Sequence, residues 1–283
     1  MCTARRDSAR RVRGGARSRG RSVGARSSSQ CSRCAPPRRP GVPWQQFTER
    51  EDRIVATRTA PETTVDEVLA ELGALEDPKI RAVNERHGDD HGVNLTQLRA
   101  VAKRVGMQPD LARELWATGD SAARLVAILT SRPRSYSAPE LDEMLREARV
   151  PKVHDWLLNY LVQKGPHADE LRAAWFADPD PIVASAGWSL TAKHVAAAPD
   201  DIDADGLLDI IEREMKDAPA RLQWSMNEVL AAVGIHRSDL RARAIAIGER
   251  LEVLKDYPTA PNCTSPYAPL WIAEIVRRRE GSS

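Results

Sequence analysis

Three segments in the middle of the chain repeat one plan, in which a helical stretch is followed by a proline-marked turn and a second helical stretch. Each segment opens on a leucine that lies 10, 10 or 11 residues before its proline, in the pairs Leu141 and Pro151, Leu171 and Pro181, and Leu208 and Pro219. Successive prolines are 30 and 38 residues apart. Because proline is favoured in the first turn of a helix, each one predicts the start of the second helix of a pair.

A helix pair of this length cannot bury its apolar face alone, so neighbouring pairs must stack to build a continuous core. Two-helix repeats with a period of about 40 residues are typical of HEAT-like solenoids. The alternative is chance, because proline at a helix start is common and three matches are few. The agreement in spacing favours the repeat, and we predict an all-α fold, a right-handed solenoid of HEAT-like helical repeats over residues 63–283.

The rest of this region also has the pattern of helices. Leu95, Val101 and Val105 recur at helical spacing before Gly106, which is typical of an amphipathic helix with a glycine at its end. The sequence of residues 137–140, Ser-Ala-Pro-Glu, is that of a capping box with proline in the first turn. No stretch shows sustained alternation of apolar and polar residues between turn signals, so no strand is predicted.

Residues 1–62 form the second predicted region, because the charge changes sharply there. Twelve arginines and a single acid, Asp7, give residues 1–40 a formal charge of +11, so the other 243 residues carry −9 of the chain's total of +2. Apart from Met1, Val12 and Val23 are the only large aliphatic residues of that stretch, which has no aromatic residue. Such a segment cannot bury enough apolar surface to offset its ordering entropy, so a disordered basic tail is predicted.

Three interpretations of the tail remain open. The first is a nucleic-acid-binding arm, because arginine pairs with phosphate. The second is a targeting peptide, because the segment is rich in arginine and serine. The third is upstream sequence translated from an early start codon, with natural initiation near Val55. Cys31 and Cys34 form a CxxC motif, but zinc requires two further ligands and none is nearby, so two free thiols are predicted. No apolar run reaches the roughly 18 residues of a membrane span. We therefore expect a cytoplasmic protein without membrane, metal or cofactor.

The second helices of the repeats carry polar and aromatic side chains in mixture. The concave face of a solenoid is an extended binding surface, and such a mixture suits DNA, where cations meet phosphates and aromatic rings meet bases or sugars. A tryptophan on a helix is nevertheless most often a core residue. The predicted DNA-binding residues are Lys152, Lys164, Arg172, Trp188, Lys193, Arg221 and Trp224.

The charge of −9 opposes binding of a polyanion unless basic residues cluster locally. The predicted cluster consists of Lys103, Arg104, Arg146, Arg149, Lys152, Lys164 and Arg172.

Five strings carry a resemblance to a known family, namely residues 92–99, 111–116, 151–156, 178–183 and 262–272. The last is the most specific, because its Cys-Thr-Ser-Pro-Tyr-Ala-Pro run has no generic structural explanation. On these strings the chain, from about Val65 to Arg279, resembles the bacterial DNA alkylation-repair family, the HEAT-like-repeat DNA glycosylases of the AlkD type.

The resemblance implies removal of cationic alkylated purines, such as 3-methyladenine and 7-methylguanine, from duplex DNA by cleavage of the N-glycosidic bond, by a monomer without metal or cofactor. The departing base is already positively charged, and the deoxyribose develops oxocarbenium character. A carboxylate near that sugar stabilises the cation, as in glycoside hydrolysis, and aromatic faces add attraction.

The resemblance implies different catalytic residues depending on how the helix is aligned on the family pattern. The family pattern is a tryptophan followed four residues later by the catalytic aspartate on one helix face, and in this chain Trp156 is followed by Tyr160. If the helix is aligned by its apolar end, Asn159 takes the place of the aspartate and Asp155 that of the tryptophan. The catalytic candidates are therefore Asp155, Trp156 and Asn159.

Only Asp155 among these candidates supplies a negative charge. Asp155 and Asn159 are four residues apart, so they are predicted to share a helix face and form a polar pair. The alternative is a surface acid beside Lys152. The arginine that the family has on the next repeat has no counterpart in residues 183–187. A non-catalytic HEAT-like scaffold that binds DNA or a protein, or an adaptor that binds a peptide, remains the alternative function.

Overall fold

The structure, a computed structural model, describes residues 63–260 and 263–281. Over these residues all regular elements are helical and no strand occurs, which confirms the predicted all-α fold. The predicted tail, with Cys31 and Cys34, lies outside the described residues. None of the helices in the described ranges is both long enough and apolar enough to cross a membrane.

Thirteen α-helices occur in the described ranges. They are α1 (Val65–Ala74), α2 (Pro78–Glu85), α3 (Leu95–Val105), α4 (Pro109–Ala117), α5 (Ser121–Thr130), α6 (Ala138–Glu147), α7 (Pro151–Trp156), α8 (Ala168–Trp175), α9 (Pro181–Ala197), α10 (Ala204–Glu214), α11 (Ala220–His236), α12 (Arg241–Leu251) and α13 (Ala268–Glu280). Short 3₁₀ turns cover Pro133–Ser135 and Met215–Asp217, and a π-helix, Leu157–Val162, continues α7.

The predicted helix starts are present. Pro151 and Pro181 are the first residues of α7 and α9, and Pro219 directly precedes α11. The Asp180 side chain accepts a hydrogen bond from the backbone N–H of the second residue of α9. Ser137 forms the predicted capping box at the start of α6. Proline supplies a pre-set φ and lacks the N–H that the first turn leaves unpaired, so it marks these starts at little cost.

From α4 onward the helices pack in pairs, α4 with α5, α8 with α9, α10 with α11 and α12 with α13, while α6 packs on the π-helix that follows α7. The second members of the pairs lie side by side, since α5 contacts α7, α9 contacts α11 and α11 contacts α13. We call this layer the second-helix row. The first members form the other layer, in which α6 contacts α8 and α10 contacts α12. This is the stacking of pairs that the repeat spacing predicts.

The core consists of two apolar clusters that adjoin on α9, one built from residues between Val68 and Leu190 and the other from residues between Trp188 and Ile272. Helix α9 comes very close to the end of α8, because a Cβ atom on Gly187 would lie 2.5 Å from the backbone nitrogen of Phe176. The Trp188 ring stacks on Phe176, with 4.5 Å between the ring centroids. Burial of this kind is the main source of stability, at about 25 cal/mol for each Å² of apolar surface.

Candidate functional site

Asp155 lies on α7 and its carboxylate reaches the first turn of α11. Its Oδ1 atom is 2.5 Å from Nη2 of Arg221, and the Asp155 side chain keeps 47% of its surface exposed. Burial alone would raise the pKa of Asp155, but the positive charge of the Arg221 guanidinium opposes burial, and the pKa lies below its ordinary value. Asp155 is therefore an ionised, accessible carboxylate on the second-helix row.

The buried His154 ring orients the guanidinium that meets Asp155. Its Nε2 atom lies 3.2 Å from the carbonyl oxygen of Ile182, and its Nδ1 atom lies 2.5 Å from Nη2 of Arg221. Because a carbonyl oxygen only accepts, Nε2 carries the proton and Nδ1 accepts from the arginine. Burial also lowers the pKa of His154, which favours this neutral form. Asp155 thus meets an arginine from α11, whereas residues 183–187 contain none.

A second carboxyl group, that of Glu228, lies on the same face of α11 as Arg221. The indole N–H of Trp224 donates to Oε1 of Glu228 at 3.3 Å, and the Ser189 hydroxyl donates to Oε2 at 3.4 Å. Burial raises the pKa of Glu228, and the positive charge of Lys193 together with the hydrogen bonds from Trp224 and Ser189 opposes that increase. We call Asp155, Glu228 and their contacts His154, Ser189, Arg221 and Trp224 the carboxylate cluster.

Trp156 faces α3, and it lies about 100° around the α7 axis from Asp155. The Arg99 guanidinium lies over its ring, 5.4 Å from the centroid. The Tyr160 ring is 5.4 Å away, and the Lys164 ammonium lies over that ring at 4.7 Å. Arg99, Trp156, Tyr160 and Lys164 form what we call the Trp156 strip. The tryptophan that accompanies the carboxylate cluster is consequently Trp224, and Trp156 belongs to a different surface.

The Asn159 side chain is hydrogen-bonded to the backbone of its own helix. Its side-chain amide donates to the carbonyl oxygen of Asp155 at 2.7 Å, and no hydrogen bond joins it to the Asp155 carboxylate among the described residues. The predicted polar pair of Asp155 and Asn159 therefore does not form between the two side chains.

Most of the predicted basic cluster is neutralised by acids of neighbouring helices. Among its seven residues, the paired ones are Arg104 with Glu71, Arg146 with Asp142 and Asp178, Arg149 with Asp180, Lys152 with Asp89, and Arg172 with Asp169. Lys152 and Arg172, two of the predicted DNA-binding residues, are thus engaged within the protein.

Several exposed cations carry no ion pair within residues 63–260 and 263–281. Five of these are Arg99, Lys103, Arg132, Arg134 and Lys164, and we call these five the cationic face. Lys103 is one turn from Arg99 on α3. The turn that holds Arg132 and Arg134 lies beside Lys164, because the carbonyl oxygen between them, that of Pro133, is 3.3 Å from the Cβ position of the following Gly165.

The remaining predicted DNA-binding residues divide between core and surface. Trp188 is 4% exposed and stacked on Phe176, so it is a core residue and offers no ring face to DNA. Lys193 is exposed on α9 and its charge acts on Glu228. Arg221 and Trp224 both belong to the carboxylate cluster, where Trp224 also meets Tyr257 edge-on at 5.1 Å.

Sequence reasoning missed Glu228, Arg99 and the role of Tyr160. The available signal was a spacing of four residues, which joins Trp224 to Glu228 and Trp156 to Tyr160. That spacing does not separate a core pair from a surface pair, and the partners Arg99 and Ser189 come from other helices.

Comparison with known proteins agrees with this architecture. Residues 68–272 match the family model described as DNA alkylation repair enzyme. The chain is 24% identical over 227 residues to the uncharacterized protein Lin0241 of Listeria innocua serovar 6a, which covers 76% of this chain and 98% of that protein. It is 23% identical over 192 residues to the uncharacterized protein Lmo0209 of Listeria monocytogenes serovar 1/2a, which covers 64% of this chain and 84% of that one.

A solved structure gives the same fold. It represents a new family of proteins related to the HEAT-like repeat DNA glycosylases, with affinity for branched DNA structures. It superposes with a TM-score of 0.60 at 22% identity and covers 77% of this chain and 95% of its own. Together with the family match over most of the chain, the two layers of stacked helix pairs place this protein: it belongs to the DNA alkylation repair enzyme family.

Proposed function

We propose that the protein binds duplex DNA along the second-helix row and excises cationic alkylated purines, such as 3-methyladenine and 7-methylguanine. The observation that carries the proposal is the Asp155 carboxylate, which is half exposed and held ionised on that row. When the N-glycosidic bond breaks, positive charge moves onto the deoxyribose ring, and a fixed negative charge beside it lowers the barrier. The Trp224 ring, on the neighbouring α11, adds an electron-rich face to the same surface.

The position of the Arg221 guanidinium determines whether the negative charge of Asp155 is neutralised. In the free protein its guanidinium pairs with Asp155, and 29% of the Arg221 side chain is exposed. A DNA phosphate offers the guanidinium a better, bidentate partner. Because an ion pair this exposed to solvent is weak, transfer of Arg221 to a phosphate costs little. Asp155 would then face the sugar with its charge no longer neutralised.

The cationic face supports DNA binding despite the acidic composition of the chain beyond residue 40. Its five cations meet no acid among the described residues, whereas Arg213 of α10 and Arg243 and Arg250 of α12 are paired with acids. A local concentration of unneutralised cations attracts a polyanion even when the net charge opposes it. Each phosphate that such a cation contacts releases counterions and adds affinity.

The test is release of free base from duplex DNA that carries 7-methylguanine, with the Asp155→Asn variant as the comparison. Asparagine keeps the size of the side chain and its capacity to accept from Arg221, but it removes the charge. We expect the single-turnover rate to fall by about 10²-fold or more, in the range seen when one electrostatic contact to a transition state is lost. Equal rates for the two proteins would remove Asp155 from the chemistry, and no release by the wild-type protein would remove the glycosylase proposal.

A second candidate is a non-catalytic protein that binds branched DNA. It is favoured by the Arg221 contact, which neutralises Asp155 in the free protein, and by the branched-DNA affinity of the structural relative. On this alternative the protein would bind a four-way junction more tightly than a duplex of equal length, and no base would be released from either. Gel shifts on the two DNAs, run beside the base-release assay, separate the candidates.

A further inference from the structure

Cations lie over aromatic rings at four places in residues 63–260 and 263–281, and the four contacts are of two kinds. In the first kind the ring is buried and an acid holds the arginine. The Trp116 ring is buried beneath Arg124, which pairs with Glu147. The Tyr136 ring is buried beneath Arg113, which is also paired with acids. Contacts of this kind belong to the packing of the fold and are closed to a ligand.

The second kind makes up the Trp156 strip. The Trp156 and Tyr160 side chains are half-buried, and the cations over them, Arg99 and Lys164, are exposed and meet no acid among the described residues. A cation–ring contact at an exposed site favours the contact by only about two- to fivefold. Each cation is therefore free to leave its ring face when a ligand competes for that face.

The two rings of the strip are arranged for separate bases. Their centroids are 5.4 Å apart and their planes are inclined by 52°. Successive bases of a duplex strand lie parallel and about 3.4 Å apart, so they do not match two rings inclined in this way. An unpaired strand has bases that turn apart and offer one face to each ring. Stacking of such a base on an aromatic side chain favours binding by about fivefold to a hundredfold, which exceeds what the cation contact contributes.

The charges around the rings fit the backbone of such a strand. Lys103 lies one turn beyond Arg99 on α3, and the turn that holds Arg132 and Arg134 lies beside Lys164. A cation that a base displaces from its ring would meet the phosphate next to that base. Aromatic rings with cations on both sides are the usual construction of a surface that binds single-stranded nucleic acid.

We propose that the Trp156 strip binds the unpaired bases of a single-stranded arm that branches from the duplex, while the cationic face binds the phosphates of that arm. The inference rests on the DNA binding of the proposed function, in which the duplex itself lies along the second-helix row. Because Trp156 lies about 100° around the α7 axis from Asp155, the arm would leave the duplex at α7. The substrate class that this adds is a duplex with a single-stranded branch.

The experiment measures the affinity of the full chain for three DNAs that share one duplex. The first is blunt, the second carries an arm of about six thymidines, within the site size of single-strand grooves, and the third carries an abasic arm of equal length. The abasic arm keeps every phosphate and lacks the bases. The wild-type protein should bind the thymidine arm about tenfold or more tightly than the abasic arm, as expected when stacking is lost.

A matched pair of double variants links that difference to the rings. Replacing Trp156 and Tyr160 by leucine keeps apolar packing and removes both rings, whereas replacing them by phenylalanine keeps a ring at each position. The leucine variant should lower the ratio of thymidine-arm to abasic-arm affinity to about one, and the phenylalanine variant should keep most of it. A purely structural role of the two side chains would lower the affinity for all three DNAs and leave the ratio unchanged.

The outcomes are distinct. Equal affinity of the wild-type protein for the thymidine and abasic arms would overturn the inference, and this comparison decides even if the leucine variant does not fold. A ratio that the leucine variant leaves unchanged would also overturn it. In both cases binding of the blunt duplex and release of 7-methylguanine by the wild-type protein would leave the proposed function intact. Failure of the wild-type protein to bind the blunt duplex would instead overturn the DNA binding on which the inference rests.

Discussion

Asp155 and Trp156 are neighbours in the chain, yet the surfaces on the two sides of α7 handle charge in different ways. On the Asp155 side, the carboxylate is met by an arginine that a buried histidine orients. On the Trp156 side, Arg99 and Lys164 rest over aromatic rings and meet no acid among the described residues. A ring positions a cation without cancelling its charge, so that side suits phosphate binding, whereas the Asp155 side holds a preorganised negative charge that suits chemistry.

The largest expected effect on stability concerns Asn159, which lies in the π-helix between the two surfaces. Asn159→Asp should destabilise the protein by about 1–3 kcal/mol, because an ionised carboxylate cannot donate to the Asp155 carbonyl and would repel it. The same substitution would recreate the aspartate of the family pattern in one alignment, and we nevertheless expect no gain in 7-methylguanine release. Urea unfolding and the base-release assay measure the two outcomes.

Asn94→Asp is the matched control. Asn94 caps α3 by accepting hydrogen bonds from backbone N–H groups, and aspartate accepts equally well there, so little change is expected. If Asn159→Asp were as stable as the wild-type protein, or released more base, the alignment that makes Asn159 the catalytic position would be favoured over Asp155.

A smaller effect is expected from the cations of the Trp156 strip. Replacing both Arg99 and Lys164 by glutamine should weaken duplex binding by about tenfold at moderate salt and make the slope of log affinity against log salt shallower by about 1.8, the value for two lost phosphate contacts. Arg104→Gln lies on the same helix as Arg99 and changes the net charge by one, but Arg104 is paired with Glu71, so its slope should stay unchanged. Identical slopes for the double variant and the wild-type protein would remove the strip from DNA binding.

The smallest effect concerns the pH dependence of stability at Asp155. A carboxyl group with a lowered pKa in the folded state stabilises the protein above its unfolded pKa of about 4, and this contribution is lost as pH falls through the folded pKa. Asp155→Asn should therefore be less stable than the wild-type protein at pH 7 by less than about 1 kcal/mol, because the ion pair is half exposed, and the difference should be smaller at pH 2.

Urea unfolding at the two pH values measures that difference, and Asp110→Asn is the control. The Asp110 side chain is fully exposed and 3.8 Å from Arg113, so we expect no difference that depends on pH for this variant. A deficit of Asp155→Asn that persisted at low pH would indicate that the side chain acts through packing and not through its charge.

The helix pairs were predictable because their signals are local. Proline at Pro151 and Pro181 and the capping box at Ser137 act within one turn, so the sequence alone locates the starts of α6, α7 and α9. The predicted tail and its cysteines lie outside the described residues and stay predictions.

The site was less predictable because its contacts join residues from different repeats. Arg146 pairs with Asp178, 32 positions away, and Arg221 reaches Asp155 from 66 positions away, and neither spacing follows from a helical period. The π-helix after Trp156 adds a second obstacle, since it shifts the face on which every following side chain lies and has no sequence motif of its own. For that reason the sequence does not show which surface the Trp156 and Asn159 side chains face.

The claim that the Asp155 side of α7 serves the chemistry and the Trp156 side serves DNA binding is tested most directly by single-turnover release of 7-methylguanine over a range of protein concentrations. We predict that Asp155→Asn lowers the rate at saturating protein and leaves the half-saturating concentration unchanged, whereas the Arg99 and Lys164 double variant raises the half-saturating concentration and reaches the wild-type rate. If both variants lowered the saturated rate alike, or if Asp155→Asn changed only the binding, the account of two functionally separate surfaces would be contradicted.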